Sequence, residues 1–185
     1  MRLTIIRLEL IATVLLLGAA ALWSTLRGFD LSAALEPAVV PALIGATCGI
    51  ALAATLPLIT APWAARILVL RGLKRAWDKL ESNLGPGLSI LEVLVLALCS
   101  GLGEEVFFRG VVQHELGVGT AAAIFGLLHP LGVAYVVWAS AVGAGLGLLY
   151  IATGSLLAPV AAHGAYNLVA LAYLRRRSNP PEELV

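Results

Sequence analysis

Apolar residues in this chain come in runs long enough to cross a lipid bilayer, and that length constrains the fold more than any other feature. The first run extends from about residue 5 to 26. About 20 apolar residues at 1.5 Å rise per residue match the hydrocarbon thickness. Only helices or closed barrels satisfy their backbone groups in lipid, where no water can do so. Hydrophobic residues make up 60% of the 185 residues and charged ones 12%, with a mean hydropathy of +0.96, which leaves no room for a separate soluble domain. The expected fold is all-α: one membrane domain over residues 1–185, a polytopic transmembrane bundle of about six spans.

The spans fall at about residues 5–26, 38–60, 88–115, 118–131, 133–151 and 155–174. The fourth is short, and Pro130 with Gly132 closes it, so it crosses only part of the bilayer. Between the second and third, Trp63, Ile67, Leu70, Leu73, Trp77 and Leu80 recur at helical spacing against a basic face. That pattern predicts an amphipathic helix lying in the interface. The first run follows Arg2 and Arg7, and no convincing cleavage site follows it, so it reads as a retained span rather than a signal peptide.

Charge sets the orientation. The formal net charge is only +1, but Arg66, Arg71, Lys74, Arg75 and Lys79 cluster in one connection and Arg175, Arg176 and Arg177 near the end. Both clusters and both termini are expected in the cytoplasm, and six crossings satisfy all of them. Cys48 and Cys99 lie within apolar runs, where they act as small apolar residues, and imply neither a disulfide framework nor a cysteine metal site. Gly143 and Gly147, four apart, form a close helix-packing face.

The stretch GEEVFFRG, residues 103–110, places three ionisable groups inside an apolar run. Glu104, Glu105 and Arg109 each cost roughly 2.5–3.5 kcal/mol near mid-membrane on insertion scales. Glu105 and Arg109 stand at i and i+4 with the glutamate first, the favoured order for a helical ion pair. Such a pair commonly pins helices together. Glu104 points about 100° away and is available to another helix. His129 stands one turn after Phe125, and His163 one turn before Asn167 on the same helical face. Counted from the outer ends of their spans, Glu104, His129 and His163 lie at depths that agree to within about 5 Å. An acid, two imidazoles and a carboxamide supply a base, a water-holding group and donors for a developing oxyanion.

These residues also carry a resemblance. EEVFFR fits EExxxR, FGLLH fits FxxxH and HGAYN fits HxxxN, in that order on successive hydrophobic segments. The pattern resembles the CAAX-protease and bacteriocin-processing (CPBP, or Abi) family of intramembrane endopeptidases, over a motif core of about residues 88–174. The resemblance implies that Glu104 is the general base and that His129 helps it hold and activate a water. His163 and Asn167 would stabilise the tetrahedral oxyanion, with Glu105, Arg109 and Phe125 in support and no cofactor. It also implies a membrane-associated peptide or protein substrate, whether lipidated, leader-bearing or ending in a sorting tail. The setting would be the lipid bilayer of a bacterial or archaeal cell membrane, with no nucleic-acid partner. The charge-derived orientation puts the cluster nearer the outer face, which favours a substrate processed during export.

Other readings of the same residues stand beside this one. Glu104, Glu105, His129 and His163 could instead ligate zinc as a metalloprotease, although their spacing is not that of HExxH. HELGV at 114–118 lacks the second histidine, which leaves His114 as an interfacial residue at a helix end. Ser100 has no nucleophile pattern around it and reads as a small residue at a helix contact. A non-enzymatic transporter, immunity or scaffold protein would need a polar path continuing from the cluster. Glu9 and Glu92, near the cytoplasmic ends of their helices, show no such continuation.

Overall fold

The computed structural model describes residues 2–179, with side chains from residue 5 onward, so the side chain of Arg2 lies outside the described residues. Among the described residues the chain is all-helical, in the order α1 (Arg2–Arg27), α2 (Val39–Ala53), α3 (Leu56–Thr60), α4 (Leu68–Leu84), α5 (Ile90–Phe107), α6 (Gln113–Leu127), α7 (Val133–Thr153) and α8 (Leu157–Ser178). Short 3₁₀ segments occupy Ala33–Leu35 and Pro62–Arg66, and a π-helical turn, Phe108–Val112, joins α5 to α6.

Local chemistry sets the boundaries. A turn at Ala54 and Thr55 divides the expected second span into α2 and α3, and Pro57 lies in the first turn of α3, where its missing N–H costs nothing. α5 opens on a capping box: Ser89 Oγ accepts from the Glu92 N–H, and the Glu92 carboxylate accepts from the Ser89 N–H. α5, the π turn and the start of α6 form one rod, which breaks at Gly117 with φ +78° and ψ 167°, a conformation open to glycine. The arm after Gly117 ends at Leu127, so it is about 15 Å long and crosses part of a bilayer. The amphipathic helix is shorter than its apolar spacing implies. Ile67 is extended, so α4 begins at Leu68; Leu73 and Trp77 face inward while Trp63 and Ile67 stay exposed.

Among the described residues, four helices are long and apolar enough to cross a membrane, over Ile5–Arg27, Val39–Thr60, Val133–Thr153 and Leu157–Ser178. The other two expected spans are the rod that carries Glu92, Glu104 and Glu105 and the short arm. Their polarity and brevity set them apart, and they carry two of the three motifs. Large apolar side chains such as Val14, Leu22, Val39 and Val133 point outward, as expected of a surface that meets lipid. The chain is an integral membrane protein.

Small residues let these helices approach. Gly45 and Gly49 of α2 lie against the carbonyls of Ala158 and Ala162 on α8, and a Cβ on Gly101 of α5 would come within 2.9 Å of the Gly164 backbone nitrogen. On α7, a Cβ on Gly143 would reach the Phe125 ring at 3.2 Å, and one on Gly147 would collide with Gln113, whose Nε2 donates to the Gly147 carbonyl at 3.1 Å. These glycines form the packing face that the sequence implied. The contacts also fix direction. α1 runs parallel to α5, with Thr13 beside Gly103 and Arg27 paired with Glu115 at 3.1 Å. α2 runs parallel to α8, and α8 antiparallel to α5, as the Glu105–His163 and Leu88–Arg175 contacts require. α1 and α5 therefore run one way and α2 and α8 the other. The basic tail and α4 share one side of the bundle, where Arg177 pairs with Glu81 at 3.2 Å.

Gly45→Val places atoms where the Ala158 carbonyl stands, so the α2–α8 contact must open. We expect a loss of about 1–3 kcal/mol, read as a lower thermal midpoint in detergent. Gly18→Val, with nothing within 4 Å of the added carbon, should stay within about 0.5 kcal/mol of the parent.

Candidate active site

The site begins with a carboxylate that faces two partners. Glu105 is fully buried, with Oε1 2.8 Å from His163 Nδ1 on α8 and Oε2 2.9 Å from Arg109 Nε in the π turn. A carboxylate only accepts, so the His163 Nδ1–H donates. The Arg109 contact is close but off the hydrogen-bond direction, which makes it a charge contact. The guanidinium, also fully buried, lies with Cζ 4.8 Å from the centre of the Phe125 ring and 5.9 Å from that of Phe108, so aromatic faces take part of its charge. Phe125 contacts both histidines as well, with ring centres 4.6 Å from His129 and 6.0 Å from His163.

Glu104, on the neighbouring face of α5, meets His129 across the site. Glu104 Oε2 and His129 Nε2 stand 3.8 Å apart, and Oε2 has no hydrogen-bond partner among the described residues. His129 Nδ1 is 2.7 Å from the Phe125 carbonyl. A carbonyl cannot donate, so Nδ1 carries the proton, and in the neutral ring Nε2 presents a lone pair toward Glu104. Two acceptors at that separation suit a water that donates one O–H to each.

The sequence-derived candidates therefore converge. Glu104, His129, His163 and Asn167 all line one cavity of about 840 Å³, within the range of ligand sites. Glu105 and Arg109 lie behind it with Phe125 between the histidines. His114 lies elsewhere, stacked on Phe29 at 4.2 Å.

Three further residues escaped the sequence reading. Asn167 Nδ2 donates to Ser100 Oγ at 2.8 Å, and Ser100 in turn donates to the Leu96 carbonyl at 2.7 Å. Ser100 thus orients the carboxamide, a role that a lone serine in an apolar run does not advertise. Glu9 on α1 lies close enough to Glu104 and His163 for their charges to interact, so the polar cluster extends toward α1. The one clue to this was its helical phase, one turn before Thr13. Tyr135, with its ring centre 6.4 Å from that of His129, walls the site from α7. As for metal ligands, no set of three or more His, Cys, Asp or Glu side chains is grouped to hold an ion among the described residues. Both Glu105 oxygens already face His163 and Arg109.

Comparison with known proteins meets the chain at these residues. Residues 86–169 match the family described as type II CAAX prenyl endopeptidase Rce1-like. The uncharacterized protein YpbD of Bacillus subtilis (strain 168) is 34% identical over 90 residues, which cover 47% of this chain and 48% of that protein. The match thus spans about half the length of this curated relative. No solved structure matches the chain. EExxxR, FxxxH and HxxxN all fall inside the matched segment, as does every residue of the cluster except Glu9. The segment that carries the three motifs, residues 86–169, is thus the part of the chain that is similar to the Rce1-like family of type II CAAX prenyl endopeptidases.

Proposed function

We propose that this protein is an intramembrane endopeptidase of the CAAX-protease type that cleaves a peptide bond of a membrane-associated protein or peptide with water activated by Glu104 and His129. The observation that carries this reading is the geometry of those two acceptors, 3.8 Å apart at the wall of a cavity. A water donating to both has its lone pairs directed at a carbonyl in the cavity. As it attacks, Glu104 takes its proton and later passes it to the leaving amine. His129 keeps the water in place, with its tautomer fixed by the Phe125 carbonyl.

The negative charge that grows on the carbonyl oxygen needs donors already in position. Asn167 has a second amide hydrogen beyond the one given to Ser100. His163, held through Nδ1–H on the Glu105 carboxylate, presents Nε2 to the cavity and, when protonated, donates from it. Arg109 offsets the charge of Glu105, and the same carboxylate accepts from His163 Nδ1–H. As a zinc ligand Glu105 would have to leave this arrangement, because both of its oxygens are engaged, which favours the glutamate route.

Purified protein should cleave a lipid-modified or transmembrane peptide with a rate unaffected by a zinc chelator. Glu104→Gln and His129→Ala should each lower kcat by about 10²–10⁴. Chelator-sensitive cleavage restored by zinc would establish the metalloprotease instead, and cleavage that survives both substitutions would place the chemistry elsewhere. Ser100→Ala removes one hydrogen bond to Asn167, so kcat should fall about tenfold with KM little changed. In a double-mutant cycle, Ser100→Ala should add nothing to Asn167→Ala; additive losses would separate the two residues. Arg109→Met leaves Glu105 buried without its cation, and unfolding measurements should show a loss of about 3–5 kcal/mol.

A further inference from the structure

α4 is the amphipathic element of the bundle, and its charges do not cancel. Both of its carboxylates are engaged: Asp78 holds Lys74 at 2.8 Å, and Glu81 holds Arg177 of α8 at 3.2 Å. Arg71, Arg75 and Lys79, each four residues from the next and all exposed, form a stripe opposite the buried Leu73, Ala76 and Trp77. Neither these three nor Arg66, just before the helix, has a carboxylate partner among the described residues. The stretch therefore carries four cations with no counter-charge from the chain itself.

Two observations define the anion that fits them. The first is that Arg71 is already positioned. Its Nε donates to the Ala65 carbonyl at 2.8 Å, which folds the side chain back over the 3₁₀ segment and leaves both Nη groups open. Paired N–H donors in that fork match the oxygens of a phosphate, and Arg75 adds a second charge one turn on. The second is the apolar company of these arginines. Trp63 is 44% and Leu68 78% exposed, with Ile67 and Val69 exposed beside them, so the start of α4 overhangs the bundle. Leu68 lies within about 60° of Arg71 around the helix. A soluble anion would leave this apolar surface bare. The glycerol and acyl chains of a phospholipid would cover it while the head lies on the arginines. A choline head adds a cation that the stripe repels, so the fit is to an anionic lipid.

We propose that the outer face of α4 binds the head of an anionic phospholipid. Arg71 and Arg75 hold its phosphate, Arg66 and Lys79 add charge, and Trp63, Ile67 and Leu68 lie against its glycerol and upper acyl chains. The same helix reaches the candidate active site from its other face. Leu80 lines the cavity that holds Glu104 and His129, and Gly72 rests against Ala134, the residue before Tyr135. A lipid seated on the arginines therefore steadies a helix that closes part of that cavity.

Native mass spectrometry of the full chain in a non-ionic detergent, titrated with dioleoyl phosphatidylglycerol or dioleoyl phosphatidylcholine, reads Kd for the first lipid bound. The parent should prefer phosphatidylglycerol by roughly twentyfold, about fivefold from each of the two arginines. Arg71→Gln and Arg75→Gln should each reduce that preference about fivefold, and the double variant should lose it. Trp63→Ser should weaken both lipids alike. Arg176→Gln removes the same charge from an exposed position on α8 and should leave the preference unchanged. The thermal midpoint of each variant in lipid-free detergent should match that of the parent. Inorganic phosphate or a polyglutamate peptide in large excess should not displace the lipid. Equal affinity for the two lipids, a preference that survives the double variant, or an equal loss in Arg176→Gln would overturn the inference. Displacement by phosphate or polyglutamate would overturn it in favour of a soluble anion. None of these measurements depends on cleavage, so the endopeptidase reading stands or falls separately.

Discussion

The buried carboxylate of Glu105 is the constraint on which the rest of the site depends. Left alone near mid-membrane it would cost about 3 kcal/mol or more on insertion scales, and Arg109 would add a similar cost. The two groups offset each other at 2.9 Å, but the geometry of their contact is poor, so the pair needs more than itself. α8 brings His163 to the other carboxylate oxygen, and α6 brings the Phe125 ring over the guanidinium. Three helices must therefore assemble before the charges are accommodated. This couples folding of the bundle to formation of the site, because the groups that stabilise Glu105 also hold the histidine and the aromatic ring that shape the cavity.

Two adjacent glutamates do different work because helical geometry separates their directions by about 100°. Glu105 turns toward α8 and Arg109, where one oxygen faces the guanidinium and the other accepts from His163 Nδ1–H. Glu104 turns to the cavity, where one oxygen has no hydrogen-bond partner among the described residues and faces His129 at a distance too long for a direct hydrogen bond. The π turn follows at once, over Phe108–Val112. Such turns add a residue to the helical circuit and commonly accompany functional sites. Here it contains Arg109 and leads to Gln113, whose amide ties the rod to α7.

Much of this was legible because lipid makes polar residues conspicuous. Within an apolar run, Glu104, Glu105, Arg109, His129 and His163 could not be solvated surface groups, so their spacing carried information, and the three motifs fixed their order along the chain. The division into all-helical spans followed from run length alone, and Pro130 and Gly132 marked the end of the short arm. What stayed hidden depended on contacts between helices. Ser100 looked like any small residue until Asn167 was seen to donate to it. Glu9 looked like an end-of-helix charge until the register of Thr13 on Gly103 placed α1 beside the site. The start of α4 was misplaced because Trp63 and Ile67 fit a helical period that the backbone at Ile67 does not follow.

The short arm of α6 shows how a helix end can serve chemistry. The last carbonyls of a helix lack backbone partners and must find others, and in a membrane water cannot be assumed to supply them. After Phe125 the chain tightens: the His129 N–H bonds to the Gly126 carbonyl rather than to that of Phe125, and Pro130 prevents continuation. The Phe125 carbonyl is thus left over, and the imidazole of His129 folds back to satisfy it at 2.7 Å. That single contact caps the helix, assigns the proton to Nδ1 and aims Nε2 at Glu104. Had the helix run on, the His129 N–H would have taken the carbonyl, and the ring would have been free to adopt either tautomer. The early stop that looked like an incomplete span is what fixes the protonation pattern of the site.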